Sequence, residues 1–197
     1  MFDEIEFGRE FFEELTAIDA AILARAAKQA CRFCGGPLHR GDYARKPRGG
    51  LVAGAAETFA RRFSLCCGRE GCRCRATPPS VRFLGRRVYV GAIVIVASVV
   101  ALVQAIASAA TRATGVPART TRRWLRWWRG PFVETPVFVE ISGRLVPAVE
   151  RRSLPTSILE RLLGPATARV QSLLAWLAPG VRRPVARVCL GMPHPPA

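Results

Sequence analysis

"VYVGAIVIVASVVALVQAIASAA", residues 88 to 110, carries no charged side chain, and whether it forms one helix or two decides the fold. As a single helix rising about 1.5 Å per residue it would reach about 35 Å, enough to cross a bilayer. Arg86 and Arg87 precede it, and Arg112, Arg119, Arg122 and Arg123 come after it. Positive charge at both ends lacks the asymmetry that orients a span. The run is also rich in Ala, Gly and Ser and holds Gln104, so its drive to insert is weak beside that of a leucine-rich segment. The preferred expectation is two helices, roughly 88 to 101 and 103 to 113, forming a buried core. The alternative is a membrane-anchored protein with one span at 88–110.

The segment beyond the run favours the core reading. In "ASAATRATGVPARTTRRWLRWW", residues 107 to 128, an Ala-rich helix ends near Gly115. A second begins with Pro117 close to its first turn, where proline is tolerated. This is the grammar of a helix-turn-helix. Trp124, Trp127 and Trp128 fall at helical spacing and are expected mainly in the core, with arginines on other faces. Arg119, Thr120, Thr121, Arg122 and Arg123 are assigned to the DNA side, because the N-terminal residues of a recognition helix reach base edges. Arg112, Arg126 and Arg129 are assigned to phosphates.

Ahead of the run lies a cysteine constellation. "CRFCGG", residues 31 to 36, has the form of a zinc knuckle, and "SLCCGREGCRCR", residues 64 to 75, supplies four more thiols. Zinc in a structural site takes four tetrahedral ligands, so Cys31 and Cys34 need two partners. In "TFARRFSLCC" strand alternation sets Phe59, Phe63, Leu65 and Cys67 on one parity and Arg62, Ser64 and Cys66 on the other. Cys67 is thus expected inward, and Cys72 closes a glycine-hinged loop from it. The expected ligands are Cys31, Cys34, Cys67 and Cys72, holding one structural Zn2+. Cys66 is the substitute, while Cys74 and His39 are weaker candidates and Cys189 is expected to pack alone. The competing reading is reduced cysteines buried as small hydrophobes.

Charge points the same way as the basic helix. The chain of 197 residues carries a formal +16 and a pI near 11.3, and its only lysines are Lys28 and Lys46. Arginine forks suit phosphates and guanine edges, although arginine charge alone does not separate DNA from RNA. Seven of the fourteen acidic residues, Asp3, Glu4, Glu6, Glu10, Glu13, Glu14 and Asp19, precede residue 20. They sit in or before an amphipathic helix expected over residues 10 to 30, which could fold back over the basic surface. The acidic opening has no signal-peptide form, so a cytoplasmic, nucleoid-associated protein with reduced cysteines is expected.

The expected organisation is an acidic amphipathic helix (1–30), a zinc-ribbon-like module (31–80), a helix-turn-helix-like module (81–130), a C-terminal helical segment (131–190) and a frayed tail (191–197). The fold class is mostly α with a small β zinc ribbon, α+β. In the C-terminal segment Ser157 and Glu160 fit a capping box, and Gly164-Pro165 should interrupt the helix it opens. That helix is a candidate dimerisation element. The ribbon also carries arginines, Arg45, Arg48, Arg61, Arg62, Arg73 and Arg75, as further expected DNA contacts.

The order of these modules, cysteine ribbon, "RATPPSVRFLGRRVY" linker, apolar helix pair and Gly-Val-Pro turn into an Arg/Trp helix, resembles the N-terminal DNA-binding region of zinc-ribbon transposases over residues 31 to 130. The resemblance implies that Cys31, Cys34, Cys67 and Cys72 carry zinc and that Arg119 to Arg123 bind the element's terminal repeats. Such transposases continue into a ribonuclease-H-like domain whose separated acidic residues hold two Mg2+ ions. In this chain the aspartates are Asp3, Asp19 and Asp42, and beyond the basic helix the acidic residues are Glu134, Glu140, Glu150 and Glu160. The expectation is a non-enzymatic relative, an accessory protein or a truncated remnant.

Overall fold

The computed structural model describes residues 7–45, 57–84 and 89–178. Arg48, Arg86, Arg87, Cys189 and the tail 191–197 lie outside them.

Helix α1, Arg9–Ala27, forms as its apolar spacing predicts, and turns Phe11, Phe12, Leu15, Ile22 and Leu23 inward. Its phenylalanines join a ring cluster in which Phe12 stacks on Phe59 at 5.5 Å between centroids. This makes α1 part of the core. A helix that supplies these side chains cannot lift away to mask a distant surface without exposing them.

Next in the chain comes a small antiparallel sheet: β1 (Leu38–Arg40), β4 (Leu65–Cys67) and β5 (Arg75–Ala76), in the order β1-β4-β5. Leu38 faces Cys67 across the first pair, and Leu65 faces Ala76 across the second. A second ribbon pairs β2 (Tyr43–Ala44) with β3 (Arg61–Arg62). With the helices, this makes the chain α+β. The alternation expected through residues 58 to 67 is kept only in part: Phe59, Phe63, Leu65 and Cys67 are buried as expected, but Phe59 lies in a 3-10 turn at Glu57–Ala60 and the strands cover only Arg61–Arg62 and Leu65–Cys67. The opposite parity is not free, because Arg62 and Ser64 are buried as well.

The uncharged run divides into two helices, α2 (Gly91–Val103) and α3 (Ala107–Thr114). Between them Ala105 takes a left-handed φ of 55° and Ile106 is extended, which ends one helix before the next begins. Every residue from Gly91 to Ala101 is buried, as befits a helix apolar on all sides. Thirteen residues span about 20 Å, short of a bilayer's roughly 30 Å core. Among the described residues no helix is long and apolar enough to cross a membrane, so the single span at 88–110 is not formed.

Helix α4, Ala118–Arg129, packs on α2 and α3. Trp128 Nε1 donates to Ser98 Oγ at 3.1 Å, and that hydroxyl donates to Val94 O within α2 at 2.7 Å. Beyond a short 3-10 turn at Pro131–Glu134, α5 (Pro136–Ser142) is capped by Thr135, whose Oγ1 accepts from Phe138 N at 3.2 Å. Helices α6 (Thr156–Leu159) and α7 (Ala166–Leu177) complete the order.

The expected capping box is not formed. Ser157 lies inside the four-residue α6, buried, and its hydroxyl donates to Glu150 O at 2.7 Å, while Glu160 is exposed past the helix end. A loop carbonyl has taken the hydroxyl that a cap would need. The interruption at Gly164-Pro165 does occur, and α7 starts immediately after it. Its apolar face, Val170, Leu173, Leu174 and Leu177, is buried in the core.

One buried ion pair ties the layers together. Asp19 on α1 accepts from Val81 N at 2.8 Å, from Ser80 Oγ at 2.6 Å and from Arg82 Nε at 2.7 Å. Arg82 also donates to Phe59 O at 3.1 Å, and its guanidinium sits 4.5 Å from the Phe63 ring centroid. Both partners are about 1% exposed. Helix α1, the 3-10 turn at Glu57–Ala60 and the segment leading toward α2 are thereby held at one point.

Candidate metal centre and nucleic-acid interface

The sulfurs of Cys31, Cys34, Cys67 and Cys72 all lie within 4.8 Å of one another. Cys31 Sγ and Cys72 Sγ are 3.9 Å apart, and Cys34 Sγ and Cys67 Sγ 3.4 Å apart. A tetrahedron built on metal–sulfur bonds of about 2.3 Å has edges of about 3.8 Å, so the quartet is already near the shape a single ion demands. It can hold a metal ion. The four sulfurs close the site, and Cys31 and Cys67 are buried, which suits a structural ion rather than one that exchanges substrate.

Two turns build it. In the first, Cys31 N donates to Gly36 O and Gly35 N donates to Cys31 O, each at 2.8 Å, which curls Cys31 and Cys34 toward one point. Gly36 must lack a side chain: a Cβ there would stand 2.9 Å from Arg69 Cβ and 3.1 Å from Cys67 Sγ. In the second, Gly71 with φ 80° reverses the chain and Cys72 N donates to Arg69 O at 3.2 Å. Arg69 serves both turns, its amide reaching Cys67 Sγ at 3.4 Å and its guanidinium reaching Cys34 O at 2.7 Å. In the sequence Arg69 is only one loop arginine among several, with no signal that marks it as a brace.

The Arg69 amide lowers the Cys67 thiol's pKa, but burial and the thiols of Cys34, Cys72 and Cys31 outweigh it and push the group up to about 12. The remaining candidates stay outside the quartet. Cys66 directs its thiol to Arg73 O at 3.4 Å, and His39 lies over the backbone of Gly68, where an added Cβ would meet its ring. Neither His39 nor Cys74 belongs to the cluster.

The second feature is the surface of α3 and α4. Thr114 closes α3, Gly115 turns the chain with φ 66°, and α4 starts at Ala118 after Pro117. Trp124 and Trp128 are buried, whereas Arg119, Arg122, Arg123, Arg126 and Arg129 are exposed, with Arg112 exposed on α3. The helix therefore shows solvent a stripe of guanidiniums with no carboxylate on it.

Burial corrects some of the expected DNA contacts. Thr120 and Thr121 are 8% and 0% exposed, because they share the inward face with Trp124, so they cannot reach a base edge from this position. Arg62 fails for a related reason. Its guanidinium is buried and donates to Phe63 O and Pro78 O, and burial pushes its pKa down, with Asp19 acting in the opposite direction. Arg75 is exposed but engaged, donating to Gly41 O and to Ser64 Oγ, the latter at 2.7 Å. Arg61 and Arg73 are exposed, Arg45 is half-buried beside the Tyr43 and Phe83 rings, and Arg48 lies outside the described residues.

No family model, curated protein or solved structure matches the chain.

Proposed function

We propose that this protein binds duplex DNA through the arginine stripe of α4, presented by a helix-turn-helix and braced by a zinc ribbon. The observation that carries the reading is the division of α4 into a buried tryptophan face and an exposed face of five arginines. A surface of one sign attracts a polyanion, and the planar forks of arginine engage phosphates and guanine edges two bonds at a time. Arg119, Arg122 and Arg123, in the first half of the helix, are placed for base edges, and Arg112, Arg126 and Arg129 for phosphates. Arg129 is steadied by its bond to Arg152 O at 3.0 Å, which uses Nε and leaves its outer nitrogens for an anion.

Zinc is the metal that best suits Cys31, Cys34, Cys67 and Cys72, because four thiolates in a tetrahedron are its preferred structural set. The ion would supply a rigid crosslink between two turns of a sheet too small to hold itself together. The protein's own residues do the rest: Gly36 lets the backbone approach the sulfurs, and the Arg69 amide supports Cys67.

The module order supports reading the chain as similar to the DNA-binding region of zinc-ribbon transposases. Among the described residues the cysteine quartet is the one group arranged to take a metal, and Glu134, Glu140, Glu150 and Glu160 are dispersed on the surface. The test is equilibrium binding of zinc-loaded protein to duplex DNA. Arg122→Ala/Arg123→Ala should bind far more weakly while keeping one zinc per chain. Unchanged affinity in that variant would remove the helix from the interface.

A further inference from the structure

Phe33 stands between the first two thiols of the quartet and is 62% exposed. A scattered exposed apolar side chain needs no explanation, but the surroundings of this one are particular. Its backbone is fixed on both sides by the turn bonds of Cys31, Gly35 and Gly36. The Arg32 guanidinium lies over its ring, 4.6 Å from the centroid. Across the metal centre Arg69 donates to Cys34 O, the carbonyl of the residue after Phe33, and Arg73 leaves the same loop with its amide directed to Arg69 O. Arg32, Arg69 and Arg73 are exposed, with Glu70 as the acid among them.

We propose that Phe33, with Arg32, Arg69 and Arg73, forms a second nucleic-acid site that stacks an unpaired base of a single strand. An aromatic ring and a guanidinium plane both offer a π-face to a base, and flanking arginines neutralise the phosphates on either side. A base inside an intact duplex is stacked on its neighbours and cannot use such a platform, so the ligand is a single-stranded or frayed segment rather than the duplex assigned to α4. The turn matters because it fixes the backbone that carries the exposed ring, which lowers the ordering cost of binding. This site rests on the nucleic-acid reading of the protein but uses a different element from α4.

The test uses full-length zinc-loaded protein and fluorescence anisotropy with three probes: oligo-dT, oligo-U of equal length and a blunt duplex. Phe33→Ala should weaken single-strand binding about 5- to 100-fold, leaving zinc content and duplex affinity unchanged. Phe33→Trp should keep or tighten it. Loss with oligo-dT alone assigns the site to DNA, and loss with oligo-U as well assigns it to single strands of either sugar. If Phe33→Ala loses zinc, Phe33→Leu, which keeps apolar bulk but no ring, replaces it, and full single-strand affinity in that variant overturns the proposal. Wild-type protein that binds the duplex but neither single strand overturns this site and leaves the α4 reading standing. Wild-type protein that binds no probe overturns both.

Discussion

Gly36 and Asp19 show how far a single residue can matter in this chain, and how differently the two could be foreseen. A Gly36→Ala change puts a methyl group 2.9 Å from Arg69 Cβ, against a side chain's root rather than its flexible end. Overpacking of this kind costs about 1–3 kcal/mol. Zinc affinity measured by competition with a chelator should fall by about tenfold or more as that strain opposes closure of the site. Asp19→Asn should be more damaging to the fold. It strands the buried Arg82 guanidinium, and breaking a buried pair costs about 3–5 kcal/mol, read as a lowered denaturant midpoint. The choice of Cys67 over Cys66 was legible because strand alternation is a local property. Asp19 was not legible as a core residue, since its partner Arg82 lies 63 positions away and nothing in an acidic helix marks one carboxylate as buried.

At the scale of elements, the apolar run was readable as two helices because it lacks the leucine content and flanking asymmetry of a span. The structure adds the break at Ala105 and places the two starts at Gly91 and Ala107, a few residues later than the spacing indicated. Helix α4 was legible in its tryptophans but not in Thr120 and Thr121, whose burial depends on where α2 and α3 lie. The same dependence defeated the capping box at Ser157, a local motif overruled by a loop carbonyl within reach. Helix α1 yields a prediction with a definite sign. Removing residues 1–29 should abolish the cooperative thermal transition, because Phe11, Phe12, Leu15 and the Asp19 anchor go with it. A deletion variant that stays folded and binds DNA more tightly would instead support an acidic mask over the basic surface.

For the whole molecule, net charge and the cysteine quartet are joined in one proposed account, in which zinc fixes the small sheet and the core fixes α4. Zinc binding must displace thiol protons, and the Cys67 thiol, pushed up to about 12, holds its proton through the neutral range until a cation arrives. Protons therefore compete with the metal as pH falls, and zinc affinity should rise steadily with pH. A titration from mildly acidic to mildly alkaline buffer with a zinc-responsive dye checks this, and a flat profile would speak against thiolate ligation. Salt gives the sharpest view of the basic face, since each phosphate neutralised contributes about −0.9 to the slope of log affinity against log salt. The deciding measurement is that slope for the wild-type chain on duplex DNA beside Arg126→Ala/Arg129→Ala, the pair placed for phosphates. A steep wild-type slope that shallows by up to about 1.8 in the variant is the predicted result; identical slopes, or no duplex binding at low salt, would contradict the account.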